Sequence, residues 1–317
     1  MNRKILSVIV PCFNEEQMIV LFYNEIKKVM LPESMNFEIL FVDDGSSDGT
    51  INIIKELAKK DSCVKYLSFA RNFGKESAMY AGLCNAKGDY VTVMDADLQD
   101  PPDLLPEMIA ILESGEYDSV ATRRIDRKGE PRIRSWFAKR FYRVFNKYAD
   151  TNIVEGARDY RLMSRKMVDA VIAMGEYNRF SKGIYAWVGF RTYWMTYENA
   201  PRTAGDTKWN FWRLKRYAFD GIINFSDVPL KVASYFGLAM TMLSFFSLVF
   251  IVVRKWIYGD PVAGWASTIC VILFVGGVQL AVLGLIGEYL AKTYMETKNR
   301  PHFIVADSNI ENLQKIR

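Results

Sequence analysis

Tyr90-Val91-Thr92-Val93-Met94-Asp95-Ala96-Asp97-Leu98-Gln99-Asp100-Pro101-Pro102 is an apolar run of strand length that ends abruptly in carboxylates. Side chains two apart in an extended segment share a side, so Asp95 and Asp97 project together. Two carboxylates side by side repel unless a divalent cation or cationic groups compensate. Magnesium or manganese held there could bridge two phosphates and neutralise a departing diphosphate. Gln99 offers a further oxygen, and Pro101-Pro102 stiffens the loop. An isolated Asp-x-Asp also fits a helix N-cap or a solvated loop; its place at a strand end favours the metal.

Working outward, short apolar runs recur at residues 5–10, 37–42, 64–69, 90–94 and 117–121, with helical patterns such as 16–30 and 50–60 between them. Strand–helix alternation at this spacing predicts an α/β fold with a mostly parallel, doubly wound sheet and helices on both faces. Ligands of such sheets sit beyond the carboxyl ends of the strands. Polar clusters fall at those ends: 11–16, 43–50, 71–77 and 95–100. In the second cluster, Asp48 or Thr50 is expected to cap the next helix, leaving Asp43 and Asp44 as acceptors for base N–H or ribose hydroxyls. The common nucleotide signatures are missing. No Gly-x-Gly-x-x-Gly follows the first strand, and Gly74-Lys75 lacks the upstream glycine of a Walker A loop.

Of 317 residues, 50% are hydrophobic and 24% charged, and the charge is concentrated in the first 228. Cys12, Cys63, Cys84 and Cys270 form no CxxC pair and read as small buried hydrophobes in a reducing compartment. The single histidine, His302, lies in the C-terminal tail, which argues against a histidine-based triad or a zinc site. A metal here is expected to be a hard cation on oxygen ligands. Met1–Lys4 leads straight into the first strand run with no signal pattern, so the N-terminal domain is expected to stay in the cytoplasm.

Residues 232–253 and 261–287 carry no charge. As helices they are long enough to cross a hydrocarbon core of about 30 Å. The link between them, residues 254–260, is too short for anything but a hairpin, which puts both outer ends on the side of the large domain. Lys208, Arg213, Lys215, Arg216 and Lys231 before the pair, with Lys292, Lys298 and Arg300 after it, agree with a cytoplasmic side.

Between Arg123 and Lys147 stand ten Lys/Arg against two acids, interleaved with Trp136, Phe137, Phe141, Phe145 and Tyr148. A basic amphipathic helix over about 132–148 suits an anionic membrane surface. Basic residues with aromatics also suit nucleic acid, but the neighbouring hairpin points to lipid. A lipid-phosphate acceptor needs fixed cations near the metal; Arg123, Arg132, Arg134, Ser135 and the segment from Arg202 to Lys208 are the candidates.

Pro11-Cys12-Phe13-Asn14-Glu15-Glu16, the run 43–50, Arg71-Asn72-Phe73-Gly74-Lys75 and Asp95-Ala96-Asp97-Leu98-Gln99-Asp100-Pro101-Pro102 resemble, in order, the motifs of the inverting GT-A glycosyltransferases of family 2. The likeness is greatest to the polyprenyl-phosphate branch, the bactoprenol glucosyltransferases and, more distantly, the dolichol-phosphate mannose synthases. It covers almost the whole chain, including the hairpin and Asn299-Arg300-Pro301-His302-Phe303. The resemblance implies a GT-A domain over 1–228, two membrane helices over about 232–253 and 265–287 within 229–290, and a cytoplasmic tail over 291–317. It implies that Pro11, Phe13, Glu15, Asp44, Lys75 and Asp95 bind the nucleotide-sugar, and that Asp95, Asp97 and Gln99 hold Mg2+ or Mn2+. It also implies that an arginine and a serine of the basic region hold the acceptor phosphate; Arg132 and Arg134 are equal candidates. Arg202-Thr203-Ala204-Gly205-Asp206-Thr207-Lys208 is similar to the family's Arg…Gly-x-Ser-Lys loop, with Thr207 in place of serine. Asp159 falls where the family places its general base. A phosphate monoester is already mostly dianionic at neutral pH, so Asp159 is expected chiefly to position the acceptor or its arginines. The Gln-x-x-Arg-Trp motif of the processive branch does not occur, which favours a single transfer. The implied donor is UDP-glucose, with UDP-N-acetylglucosamine or GDP-mannose as alternatives, and the implied assembly a homo-oligomer, a tetramer in relatives. Two rival readings are a non-lipid acceptor and a non-catalytic membrane scaffold.

Overall fold

The computed structural model describes residues 3–29, 32, 35–124, 146, 151–197, 228–258 and 265–313. The basic aromatic segment, with Arg132, Arg134 and Ser135, and the loop carrying Arg202 and Lys208 lie outside them. The strands are β1 Lys4–Cys12, β2 Met35–Asp43, β3 Val64–Phe69, β4 Tyr90–Val93, β5 Ser119–Arg124, β6 Ala157–Ser164, β7 Thr192–Tyr197 and β8 Val305–Ser308. The helices are α1 Glu16–Lys28, α2 Thr50–Lys60, α3 Lys75–Asn85, α4 Leu105–Glu113, α5 Arg165–Ala173, α6 Ser181–Trp187, α7 Val228–Tyr258 and α8 Trp265–Thr297.

One sheet carries the strands in the order β7-β5-β6-β4-β1-β2-β3-β8. Its centre, β4-β1-β2-β3, is parallel, as the strand–helix alternation predicts. β6 enters antiparallel between β4 and β5, and β8 closes the far edge antiparallel to β3. Period-two alternation splits the core into two layers. On one face, Leu6, Val8 and Val10 of β1 pack with Met18, Ile19 and Phe22 of α1, Ile54 of α2 and Met108 of α4. On the other, Ile9, Leu40 and Val42 meet Ala78, Met79 and Ala81 of α3, with Val168 of α5 and Ile184 of α6. α3 lies close to the sheet because Gly82 has no side chain: a Cβ there would stand 2.2 Å from Ile9 Cγ2.

The two uncharged stretches form α7 and α8, of 31 and 33 residues, each extending beyond its uncharged run. Both contain segments long and apolar enough to cross a membrane, and neither segment is buried within the protein. Phe245, Phe246 and Phe250 are each more than 60% exposed, a costly arrangement in water and the normal one in lipid.

The residues after α8 do not trail away. Tyr177 N–H donates to Glu296 Oε1 at 2.8 Å, His302 packs between Tyr80 and Tyr177, and Phe303 stacks on Phe69 with ring centroids 5.0 Å apart. β8 then pairs with β3, so the exit of α8 is tied to the sheet domain. Composition offered little sign of this strand.

Candidate active site

The four polar clusters converge at the carboxyl ends of β1 to β4. The first two loops are knitted together: Asn14 N–H donates to Ser46 Oγ at 2.9 Å, Ser47 N–H to Asn14 Oδ1 at 2.9 Å, and Glu15 N–H to Thr50 Oγ1 at 2.9 Å. Pro11 lies within β1, so Phe13 and Glu15 leave its end on the loop next to the second cluster. Asp48 sits just before α2 and accepts the N–H and hydroxyl of Thr50, so it steadies the helix start from outside. Gly45 turns the second loop with φ +68° while the backbone of Arg71 closes in; a Cβ on Gly45 would stand 2.4 Å from Arg71 C. Only glycine satisfies both conditions.

Asp43 and Asp44 are both buried. Asp43 accepts Ser68 Oγ–H at 2.8 Å and Ser46 N–H at 3.1 Å. Asp44 receives Phe73 N–H at 2.6 Å and Gly74 N–H at 2.9 Å, so its carboxylate shapes the third loop. Burial pushes the Asp44 carboxyl up to about 6, against the pull of those two N–H groups and with Asp43 adding to the rise.

Lys75, first residue of α3, spans the centre. Its Nζ lies 2.7 Å from Asp95 Oδ1 and 2.9 Å from Asp159 Oδ2. Burial works against the ammonium, but Asp159 and Asp95 outweigh it and hold Lys75 protonated well above the ordinary lysine range. Burial would likewise raise Asp159; the charges of Lys75 and then Lys182 overcome it and hold that carboxyl well below its usual range. Asp159 is therefore a carboxylate at neutral pH. Its partner is Lys75, not its sequence neighbours Arg158 or Arg161.

Asp97 lies in a turn past the end of β4, where Leu98 takes φ +55° and Gln99 N–H donates to Asp97 Oδ1 at 3.2 Å. Gln99 Oε1 accepts from Arg158 Nη2 at 3.3 Å, and Arg158 Nε reaches Asp100 Oδ1 at 3.3 Å. Tyr197 also donates to Asp100, whose carboxyl burial raises even with Arg158 beside it. Arg158, unforeseen in the sequence, thus clamps the end of the Asp95–Asp100 turn. Alternation along β6 explains it: Arg158 and Tyr160 face that turn, while Asp159 and Arg161 face α3 and α6.

Among the described residues no three His, Cys, Asp or Glu side chains form a metal cluster. The donors at the turn are oxygens of Asp95, Asp97 and Gln99, which suit Mg2+ or Mn2+ once ligand phosphates complete the coordination. Arg123, on β5 opposite Ala157 at the start of β6, is exposed.

Carboxylate-rich loops crowning one end of a two-faced α/β sheet, with lipid-length helices appended, are the mark of a membrane-attached GT-A transferase. Residues 7–172 match Glycosyl transferase family 2, and the chain belongs to that family. Residues 228–293 match the GtrB C-terminal hairpin. A prophage bactoprenol glucosyl transferase homolog of Escherichia coli is 42% identical over 300 residues, covering 95% of this chain and 98% of that protein. A prophage-derived bactoprenol glucosyl transferase of Shigella flexneri is 42% identical over 307 residues, covering 97% and 99%. Among solved structures, a Pyrobaculum calidifontis mannosyltransferase in complex with GDP-Man and Mn2+ aligns with a TM-score of 0.48 at 18% identity, over 94% of this chain and 88% of that one.

Proposed function

We propose that this chain transfers one sugar, glucose from UDP-glucose, to a polyprenyl phosphate, giving the polyprenyl-phosphate sugar and UDP. The observation that carries this reading is the union of the Asp95–Lys75–Asp159 bridge with two lipid-length helices whose far end is pinned to the same domain. The kinship with bactoprenol glucosyl transferases over nearly the full chain supports it.

In this reading an oxygen of the lipid phosphate attacks the anomeric carbon from the face opposite the leaving group. The bond from that carbon to the diphosphate oxygen breaks, and UDP departs with the electron pair. Configuration inverts and no covalent enzyme intermediate forms. A divalent cation held by Asp95 and Asp97, with Gln99 nearby, would supply Lewis-acid neutralisation of the departing diphosphate. Lys75 fixes Asp95 on one side and Asp159 on the other, and Asp159 keeps the basic residues around the acceptor in place. Asp43 and Asp44 order the nucleoside end. Positioning and fixed charge supply the acceleration.

Residues 1–228 form the catalytic domain on the cytoplasmic side, 229–290 the two-pass hairpin and 291–317 the returning tail, with the basic segment near 132–148 on the membrane surface. The resemblance to tetrameric relatives supports a homo-oligomer. The test is transfer of label from a panel of UDP- and GDP-sugars into extractable lipid, with purified protein, polyprenyl phosphate and Mg2+ or Mn2+. UDP-glucose is expected to label the lipid. Binding of nucleotide-sugar with no labelled lipid would overturn the acceptor.

A further inference from the structure

Two pairs of adjacent residues, Lys75-Glu76 at the start of α3 and Ser181-Lys182 at the start of α6, come together beside Asp159. Lys75 binds Asp159 directly, and Lys182 is the second charge that holds Asp159 ionised. The neighbours of these two cations bind one another. Ser181 N–H donates to Glu76 Oε2 at 3.1 Å, and Ser181 Oγ–H donates to the same oxygen, across 105 positions of chain.

The start of α6 has need of such an acceptor. The first N–H groups of a helix find no partner within it, and Phe180, the residue before α6, has no side-chain oxygen to offer. Glu76 supplies one from α3. Its carboxylate suits the positive ends of both helices, since it also lies in the first turn of its own. Ser181 is buried, so its donors would be costly to leave unmet. α6 is held from behind as well. Arg179, just before this start, donates to Met174 O and to Val171 O at 3.2 Å and lies 4.0 Å from the centre of the Tyr80 ring on α3. With both holds in place, the backbone at Lys182 keeps a fixed relation to Lys75. A lysine carries its charge on a long flexible stem, so fixing its root limits where that charge can go.

We propose that Glu76 is a positioning residue of the transfer reaction: through Ser181 it sets Lys182 towards Asp159 and so keeps that carboxylate between two fixed cations. The inference deepens the transferase reading and rests on it for the kinetic consequence.

The test is a double-mutant cycle of Glu76→Met and Lys182→Met on the full chain in detergent, read once in thermal midpoints and once in turnover. Glu76→Met keeps the length of the side chain and removes the acceptor. It should lower the midpoint by roughly 3–6 °C. It should also lower kcat for transfer from UDP-glucose to polyprenyl phosphate roughly tenfold or more, with KM for UDP-glucose within about twofold of wild type. Glu76→Gln, which keeps an oxygen for both Ser181 donors, should restore most of each loss. In the Lys182→Met background, adding Glu76→Met should lower kcat less than about twofold and the midpoint less than it does in wild type. Ser181→Ala, a milder change, should repeat the pattern at several-fold in kcat, and it serves in the cycle if Glu76→Met does not fold. Losses that simply multiply in kcat and add in the midpoint, an unchanged kcat in Glu76→Met, or a Glu76→Gln variant no better than Glu76→Met each overturn the proposal. A wild type that transfers no sugar sinks the transferase reading instead, and the midpoint cycle alone then decides whether Glu76 acts through Lys182.

Discussion

The ammonium of Lys75 lies 2.9 Å from the carboxylate of Asp159, a residue 84 positions away in the chain. That pairing decides the protonation state of Asp159: burial favours the neutral acid, and Lys75 with Lys182 reverses the preference. A carboxylate so strongly held is a poor proton acceptor and a good electrostatic anchor, in keeping with an acceptor that arrives already ionised.

Lys75→Met tests this. Removing the ammonium leaves Asp95 and Asp159 facing one another, and kcat should fall about a hundredfold or more, the scale of losing a preorganised charge. The sign of the pH effect follows from the depressed Asp159 carboxyl. In wild type Asp159 stays ionised throughout the working range and gives no acid limb to the rate profile. In the variant its carboxyl rises towards neutrality, so activity should drop as pH falls from about 7 to 5. Superimposable pH–rate profiles would refute the assignment.

Asp97→Ala should remove at least about 99.9% of turnover while leaving the thermal midpoint near that of wild type, since its hydrogen bond from Gln99 N–H stays within the same turn. Treatment with EDTA should have the same effect on the wild type, and Mn2+ or Mg2+ should reverse it. Full activity in either case would exclude the cation.

Asp44 makes stability depend on pH. Its carboxyl in the folded protein sits at about 6, above its value in an unfolded chain. The folded state therefore holds the extra proton between about pH 4 and 6, and stability declines as pH rises through that window, by at most about 3 kcal/mol. Asp44→Asn keeps an oxygen for the N–H groups of Phe73 and Gly74 but cannot ionise. Thermal midpoints of the two proteins, measured from pH 4 to 7 in one detergent, should diverge in favour of the variant as pH rises. Parallel curves would show that Asp44 is not the group responsible.

Gly45→Ala should lower stability by about 2–4 kcal/mol and abolish nucleotide-sugar binding, because it combines a left-handed backbone with a 2.4 Å approach to Arg71 C. Calorimetry and equilibrium binding report the two effects. A variant that binds normally would mean the Asp43–Thr50 and Arg71–Lys75 loops move independently.

Much of this was legible in the sequence, and the exceptions have physical causes. β3 was readable to the residue because Val64 and Phe69 bound a clean apolar run. β5 was expected at 117–121 and runs Ser119–Arg124. Tyr117 spends its ring on Tyr193 outside the strand, and polar Thr122 and Arg123 continue the ladder because β7 offers them partners. Asp44 read as a ligand acceptor, and its bonds to Phe73 and Gly74 could not be seen from composition. The pairing of Asp159 with Lys75 was not visible either, since it joins residues of different elements, while strand alternation turns the adjacent Arg158 towards Asp100. β8 left almost no trace, since Val-Ala-Asp-Ser has little apolar signal and pairs with residues about 240 positions earlier.

β8 also dictates an order of assembly. The strand that covers the β3 edge emerges from the ribosome only after both lipid-length helices have been made. Until then the outer edge of β3 presents unpaired backbone groups, an invitation to aggregation that β8 withdraws. With the hairpin inserted as proposed, maturation of the sheet is subordinate to its delivery into the bilayer. A copy whose helices stall outside the membrane would struggle to thread its tail home, so an unanchored enzyme would be left unfinished and exposed to proteolysis.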